Sequence, residues 1–132
     1  MINFVILGEP KAKQRPRVTK IGHAFTPEQT VIYENFVKLC FINTKQNMLT
    51  GQLKAIITAF FPIAKNDKKN IKEDKETCKI RHTSRPDCDN IAKIILDRLN
   101  ELAYKDDSQI VELIVKKYYS NIPRVEVVIE EL

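Results

Sequence analysis

The chain has 132 residues, 43% hydrophobic and 30% charged, and its 22 Lys/Arg against 17 Asp/Glu leave a formal net charge of +5 at pH 7. That length and apolar content suit one domain with a packed core, which excludes general disorder. No apolar run approaches the roughly 18–20 residues that a membrane helix needs.

The opening MINFVILGEPKAKQ lacks a basic n-region and a long apolar h-region. It reads as a strand over residues 2–7, ended by Gly8-Glu9-Pro10, and the chain is expected to be cytoplasmic. The next stretch, KAKQRPRVTKIGHAF, is a basic loop or short hairpin with little apolar periodicity. Thr26 followed by Pro27 predicts an N-cap and a first helical residue. The helix would carry Val31, Tyr33, Phe36, Val37, Leu39 and Cys40 inward and run toward Asn47. QLKAIITAFFPIA, rich in β-branched and aromatic residues, predicts a second strand.

From Lys65 to Arg85 eight Lys/Arg face four Asp/Glu, which places +4 of the total +5 in one segment. With no apolar face, it reads as a solvated, mobile loop, open to contact with a polyanion. DNIAKIILDRLNELAY then predicts a helix with Ile91, Ile94, Ile95, Leu99 and Leu102 as its buried stripe, Asp89 as N-cap and Pro86 upstream. KDDS breaks it. QIVELIVKKYY and RVEVVIEEL read as two strands joined as a hairpin across Ser120-Asn121-Ile122-Pro123. The fold class is α/β of the α+β type, a β-α-β-α-β-β mixed sheet packed with helices.

The three cysteines, Cys40, Cys78 and Cys88, read as reduced thiols. Cys78, His82 and Cys88 are zinc-ligand types, but no C-x-x-C pair accompanies them. The aromatic residues Phe60, Phe61, Tyr118 and Tyr119 are core or, failing that, interface. Phe25 beside His23 is packing or, failing that, a wedge.

Acidic residues gather in two places in this basic chain, Asp87-Cys88-Asp89 and Asp106-Asp107. On an extended backbone residues i and i+2 point to one side, so Asp87 and Asp89 would converge. Two carboxylates about 4 Å apart repel by roughly 4 kcal/mol at an effective dielectric near 20, unless a proton or a cation intervenes. An all-oxygen, carboxylate site suits Mg²⁺ or Mn²⁺ better than zinc. The plain alternative is that Asp89 only caps a helix and Asp106-Asp107 only makes a turn. A helix of about 13 residues is near 20 Å long, so nothing in the spacing brings the two groups together.

Lys93 lies four residues after Asp89 and four before Asp97, on one helix face. It is either part of surface ion pairs or a compact positive charge for a phosphate oxygen. Lys11, Lys13, Arg15, Arg17 and Lys20 form one basic block, and Arg81 and Arg85 end another. Acids for a metal inside a basic frame is what phosphodiester cleavage in nucleic acid requires.

GEPKAKQRPR, RPDCDNIAKIILDRLN and YKDDSQIVEL together resemble the RusA family of Holliday junction resolvases, over about a third of the chain. The combination of D-x-D-N-x-x-K with D-D-x-Q-[IV] is fairly specific; the basic block is looser, and residues 65–83 have no clear match. The resemblance implies a single RusA-like domain that forms a homodimer. It implies an Mg²⁺-dependent endonuclease, with Mn²⁺ able to substitute, that makes paired incisions in four-way junction DNA during recombination and repair. Such proteins are often carried by prophages; no membrane and no small-molecule cofactor is implied.

Residue by residue, the resemblance puts the metal on Asp87, Asp89 and Asp107, with Asp106 the less certain neighbour, and the functional lysine on Lys93. Asn90 would orient a carboxylate or water, unless it serves the helix start alone. Lys11, Lys13, Arg15, Arg17 and Arg85 fall where relatives contact DNA. Competing readings are a DNA-binding protein without catalysis, a metal nuclease for flaps, single strands or RNA, and a structural phage protein.

Overall fold

The computed structural model describes residues 1–12, 17–25 and 27–132. Thr26, Lys13 and Arg15 lie outside these, as does the side chain of Arg17. The strands are β1 (Ile2–Leu7), β2 (Arg17–Val18), β3 (Ala24–Phe25), β4 (Leu53–Pro62), β5 (Ile110–Ser120) and β6 (Arg124–Glu131). The helices are α1 (Glu28–Asn43), α2 (Lys69–Glu76) and α3 (Cys88–Leu96), with 3₁₀ turns at Asp97–Leu99 and Asp107–Gln109. The fold is a mixed sheet with helices packed on it, and β2–β3 make the small hairpin expected of the basic block.

The main sheet runs β1-β6-β4-β5, with β4–β5 parallel and the other pairs antiparallel. The last two strands are therefore not a hairpin. β4 stands between them, with Phe60 opposite Tyr118 on one side and Arg124 on the other. A strand as continuously apolar as KAIITAFF is best placed centrally, with a neighbour on each edge. The crossover from β4 to β5 carries α2 and α3, as a parallel pair requires.

Strand alternation sends Leu53, Ala55, Ile57, Ala59 and Phe61 of β4 into the core, with Val125, Val127 and Ile129 of β6 and Ile2, Phe4 and Ile6 of β1. From α3 and the turn after it, Ile91, Ile94, Ile95 and Leu99 are fully buried, as the 3.6-residue spacing predicts, and Leu102 is partly buried against them. α1 differs from expectation. Tyr33 and Val37 are buried, but Val31, Phe36 and Leu39 are exposed, because the helix is apolar nearly all round and only one flank meets the sheet. It begins at Glu28 after Pro27 and ends at Asn43, where Lys45 takes a left-handed φ of 55°.

The charged segment is not wholly loop. α2 forms within it, without one buried residue. Lys75 pairs with Asp67 at 2.6 Å and lies 4.4 Å above the Tyr119 ring, and Asn121 donates to Glu76 at 2.8 Å. A helix held by polar and cation–ring contacts has no apolar stripe for periodicity to find.

The two edges of the sheet are treated differently. On β1, the Gln46 amide accepts from Asn3 N–H and donates to Asn3 C=O, both at 2.9 Å, as a neighbouring strand would. On β5, the carbonyl of Lys117 accepts from Arg81 Nε at 2.8 Å, and Cys88 Sγ lies 4.0 Å from the Val115 carbonyl. Nearer its start β5 carries a bulge at Val111 against β4, and Val111, Leu113 and Ile114 are exposed.

Candidate active site

The turn Arg85-Pro86-Asp87 delivers the first acids. The helix starts at Cys88 with Asp87 as its N-cap, two residues before the Asp89 N-cap that the sequence suggests, so Asp89 lies in the first turn instead. The expected extended Asp87-Cys88-Asp89 is thus corrected: only Asp87 is extended, at φ −82° and ψ 165°. Pro86 restrains the residue before it rather than the one after, so nothing delays the helix beyond Cys88.

Asp87 does not use its carboxylate to cap the helix; Oδ1 instead accepts from Asn90 Nδ2 at 2.5 Å. An aspartate at an N-cap that leaves the amides alone, and is steered by a side-chain amide, is not explained by helix capping. Asp89 gains from the positive end of the helix while remaining exposed. Lys93 is exposed one turn further along and makes no ion pair among the described residues.

The second acidic group forms at the far end of α3. The helix stops at Leu96, well short of the predicted Tyr104, because the chain tightens into a 3₁₀ turn and reverses, with Glu101 at φ 66°. Tyr104 is fully buried and donates its hydroxyl to the Leu96 carbonyl at 2.6 Å, which pins the reversal to the helix end. Burial first, then the charges of Asp107, Asp97 and Asp106, push its pKa far above the usual phenol value.

Asn100 Oδ1 accepts from Asp107 N–H at 2.7 Å and so positions Asp107. Asp106 is a true cap: it accepts from Ser108 N–H at 3.0 Å, and Gln109 reaches back to its own N–H at 3.0 Å. The Ser108 hydrogen bonds hold its pKa below the usual carboxylate range. Asp107 is pushed the other way, by desolvation first, then by a hydrogen bond and charge repulsion from the Asp97 carboxyl, and by Asp106.

The structure therefore brings together Asp97, Asp106 and Asp107 at one end of α3, and Asp87, Asp89 and Asn90 at the other. Among the described residues, no three His, Cys, Asp or Glu side chains converge closely enough to hold a metal ion. The carboxylate donor set matches Mg²⁺ or Mn²⁺ chemistry, but one chain's geometry does not close a cage. Asp97 entered the sequence reading only as an ion-pair partner of Lys93; its place against Asp107 depends on the chain reversal, which spacing does not reveal. Asn100 and Tyr104 were missed for the same reason.

Basic residues border the first group. Arg85 is exposed beside it, and Lys117 Nζ ties down the same turn through the Ser84 carbonyl at 2.7 Å. Arg81 lies 4.1 Å over Tyr118, and His82 stacks on Phe61 with ring centroids 3.6 Å apart. Desolvation, then Lys117 and Lys75, lower the His82 pKa, so it is a neutral ring that packs the turn. Lys11 is exposed, 4.0 Å from Glu9.

The first acidic group thus sets exposed aspartates at a helix start beside the exposed Arg85 and Lys93. The RusA endodeoxyribonuclease model matches residues 8–130, nearly the whole chain, and the chain belongs to that family. It is also 38% identical over 138 residues to the uncharacterized protein YqaN of Bacillus subtilis (strain 168), covering 99% of this chain and 96% of that protein. No helix among the described residues is long and apolar enough to cross a membrane.

Proposed function

We propose that this protein is a divalent-metal-dependent endonuclease that resolves four-way DNA junctions by paired phosphodiester incisions. The observation that carries the proposal is Asp87: an N-cap aspartate withheld from capping, oriented by Asn90, next to exposed Asp89 and Lys93 in a chain of this family. Asp87, Asp89 and Asp107 would hold Mg²⁺, or Mn²⁺ in its place. The ion would supply Lewis-acid polarisation of the phosphate and an acidified water.

The chain's own residues do the rest. Lys93 balances charge on the scissile phosphate as a compact cation. Asn90 fixes the orientation of the Asp87 carboxylate. Asn100 and the Tyr104 tether hold Asp107 where the chain turns into β5. Arg85, with Lys11, Lys13, Arg15 and Arg17, would neutralise backbone phosphates, which makes binding fall steeply with salt. A four-way junction has two-fold symmetry, so a homodimer with one site per subunit cuts two opposed strands.

The test is a labelled four-way junction incubated with and without Mg²⁺, beside linear duplex, flap and single-stranded DNA. Symmetric incisions confined to the junction and dependent on the metal are expected. Equal cleavage of linear duplex would remove the junction preference, and binding without cleavage in Mg²⁺ or Mn²⁺ would remove the nuclease.

A further inference from the structure

The turn that carries Asp87 is fastened to the sheet by the short stretch before it. Arg81 donates Nε to the Lys117 carbonyl at 2.8 Å, and Lys117 Nζ donates to the Ser84 carbonyl at 2.7 Å. Between these ties the His82 ring lies flat on Phe61 of β4, with centroids 3.6 Å apart and planes within 6°. It meets the Tyr119 ring edge-on at 5.6 Å, and its Nε2 stands 3.2 Å from Ser84 Oγ. Ser84 is thus held twice, through its backbone by Lys117 and through its side chain by His82, three residues before Asp87.

We propose that the neutral His82 ring is a positioning residue for Asp87: with Lys117 it clamps the turn from Ser84 to Asp87, and a proton taken up by the ring opens the clamp. This rests on the nuclease reading above only for the role of Asp87 in holding a metal ion.

The two ring nitrogens differ in their surroundings. Nδ1 is buried and has no hydrogen-bond partner among the described residues. A neutral imidazole leaves one nitrogen bare, so this environment favours the tautomer with Nε2–H donated to Ser84 Oγ and a lone pair at Nδ1. Protonation adds an N–H at Nδ1, where no described group accepts it. A buried positive charge without an acceptor costs far more than a buried lone pair.

Charged groups also converge on the ring. Lys117 reaches it from β5, and Lys75 from α2, where Lys75 lies 4.4 Å over Tyr119 and pairs with Asp67. Glu9 acts from the loop after β1, and Arg81 precedes the ring on its own segment. Burial first, then Lys117 and Lys75, oppose a proton, while Glu9 favours one, as do the ring faces. The opposition prevails, so His82 stays neutral below the ordinary imidazole range and charges only as pH falls further. Once charged, it repels the same Lys117 that holds the Ser84 carbonyl, and both ties weaken together.

Two measurements test this. The first follows single-turnover junction cleavage against pH in saturating Mg²⁺ for the wild type, His82→Phe, His82→Gln and Lys75→Met, with circular dichroism as a check on folding. Protonation of the metal-holding carboxylates lowers the rate of all four alike at acid pH, so the difference between profiles is what counts. The wild type should lose rate through one further proton as the imidazole charges. Both His82 variants should lack that step and cleave about tenfold more slowly at the alkaline plateau, with junction affinity unchanged, because a small displacement of a metal-holding group is felt in the rate. Lys75→Met should keep the plateau and move the step up by a few tenths of a pH unit, since one opposing charge is gone. A His82→Phe profile of the same shape as the wild type's, or a full plateau in both His82 variants, overturns the proposal.

The second measurement needs no cleavage. In metal-free wild type, the amide resonances of Arg85, Asp87 and Asn90 should shift with the same midpoint as the His82 ring protons, and that step should be missing in His82→Phe. Amides that ignore the His82 titration overturn the clamp. If the wild type never cuts DNA, the nuclease reading falls, and the resonances still decide whether His82 holds the turn.

Discussion

The two ends of α3 carry the same residue type for different physical reasons. At the N-terminal end, Asp87 and Asp89 are exposed and do little for the fold; Asn90 orients one and the helix dipole favours the other. At the C-terminal end the acids are tied into the backbone: Asp106 caps a turn and Asp107 is anchored by Asn100, after the reversal that Tyr104 pins to the helix end. The carboxylates at one end face solvent, and those at the other are crowded against one another. Crowded carboxylates repel one another, and under the proposed function a bound cation would relieve that repulsion.

Substitutions can break this contrast. Asp89→Asn and Asp107→Asn should each lower junction cleavage about a thousandfold, a loss of several kcal/mol in transition-state stabilisation, with junction affinity in a gel shift little changed. Cleavage at the wild-type rate by either variant would end the proposed role of that residue. Lys93→Gln should lower the single-turnover rate about a hundredfold, the scale of one lost charge-stabilising group.

Stability separates the ends further. Arg98 pairs with Glu34, which is only 5% exposed, and joins α1 to the turn after α3. Arg98→Met strands that carboxylate and should cost about 3 kcal/mol in denaturant unfolding. Tyr104→Phe leaves the Leu96 carbonyl without its donor, at about 1–2 kcal/mol, and loosens Asp107 as well.

The smallest effect has an informative sign. The folded pKa of Asp107 is raised, so the folded state holds its proton more tightly than the unfolded state does. Its ionisation therefore costs no stability below the ordinary carboxylate range, and a penalty develops as pH rises through that range to the folded value. At neutral pH without metal, Asp107→Asn should raise the melting temperature slightly, and the gain should vanish toward pH 3. A fall in melting temperature would show that Asp107 is a structural cap instead.

The sequence made the central helix and its buried stripe legible, because Ile91, Ile94, Ile95 and Leu99 recur at helical spacing beside one core. It also named the D-x-D-N-x-x-K start, since local motifs survive without knowledge of the fold. What it hid depends on chain reversal and on neighbours. The place of β4 between β5 and β6 is a choice among strand orders that alternation does not encode. Asp97 meets Asp107 only because the helix stops at Leu96 and Tyr104 locks the return. α2 was invisible for the opposite reason, having no apolar face to betray it. Lys13 and Arg15, and the side chain of Arg17, fall outside the described residues, so their expected DNA contacts remain part of the proposal.

The α2 segment meets the sheet through Lys75 over the Tyr119 ring and through Glu76, which accepts from the Asn121 amide, and it contributes no buried residue to the interior. Its residues can consequently be exchanged, lengthened or recharged without disturbing the layer beneath. A lineage that needed to grip a differently shaped polyanion would have an appendage to rewrite there while the aspartates stayed put.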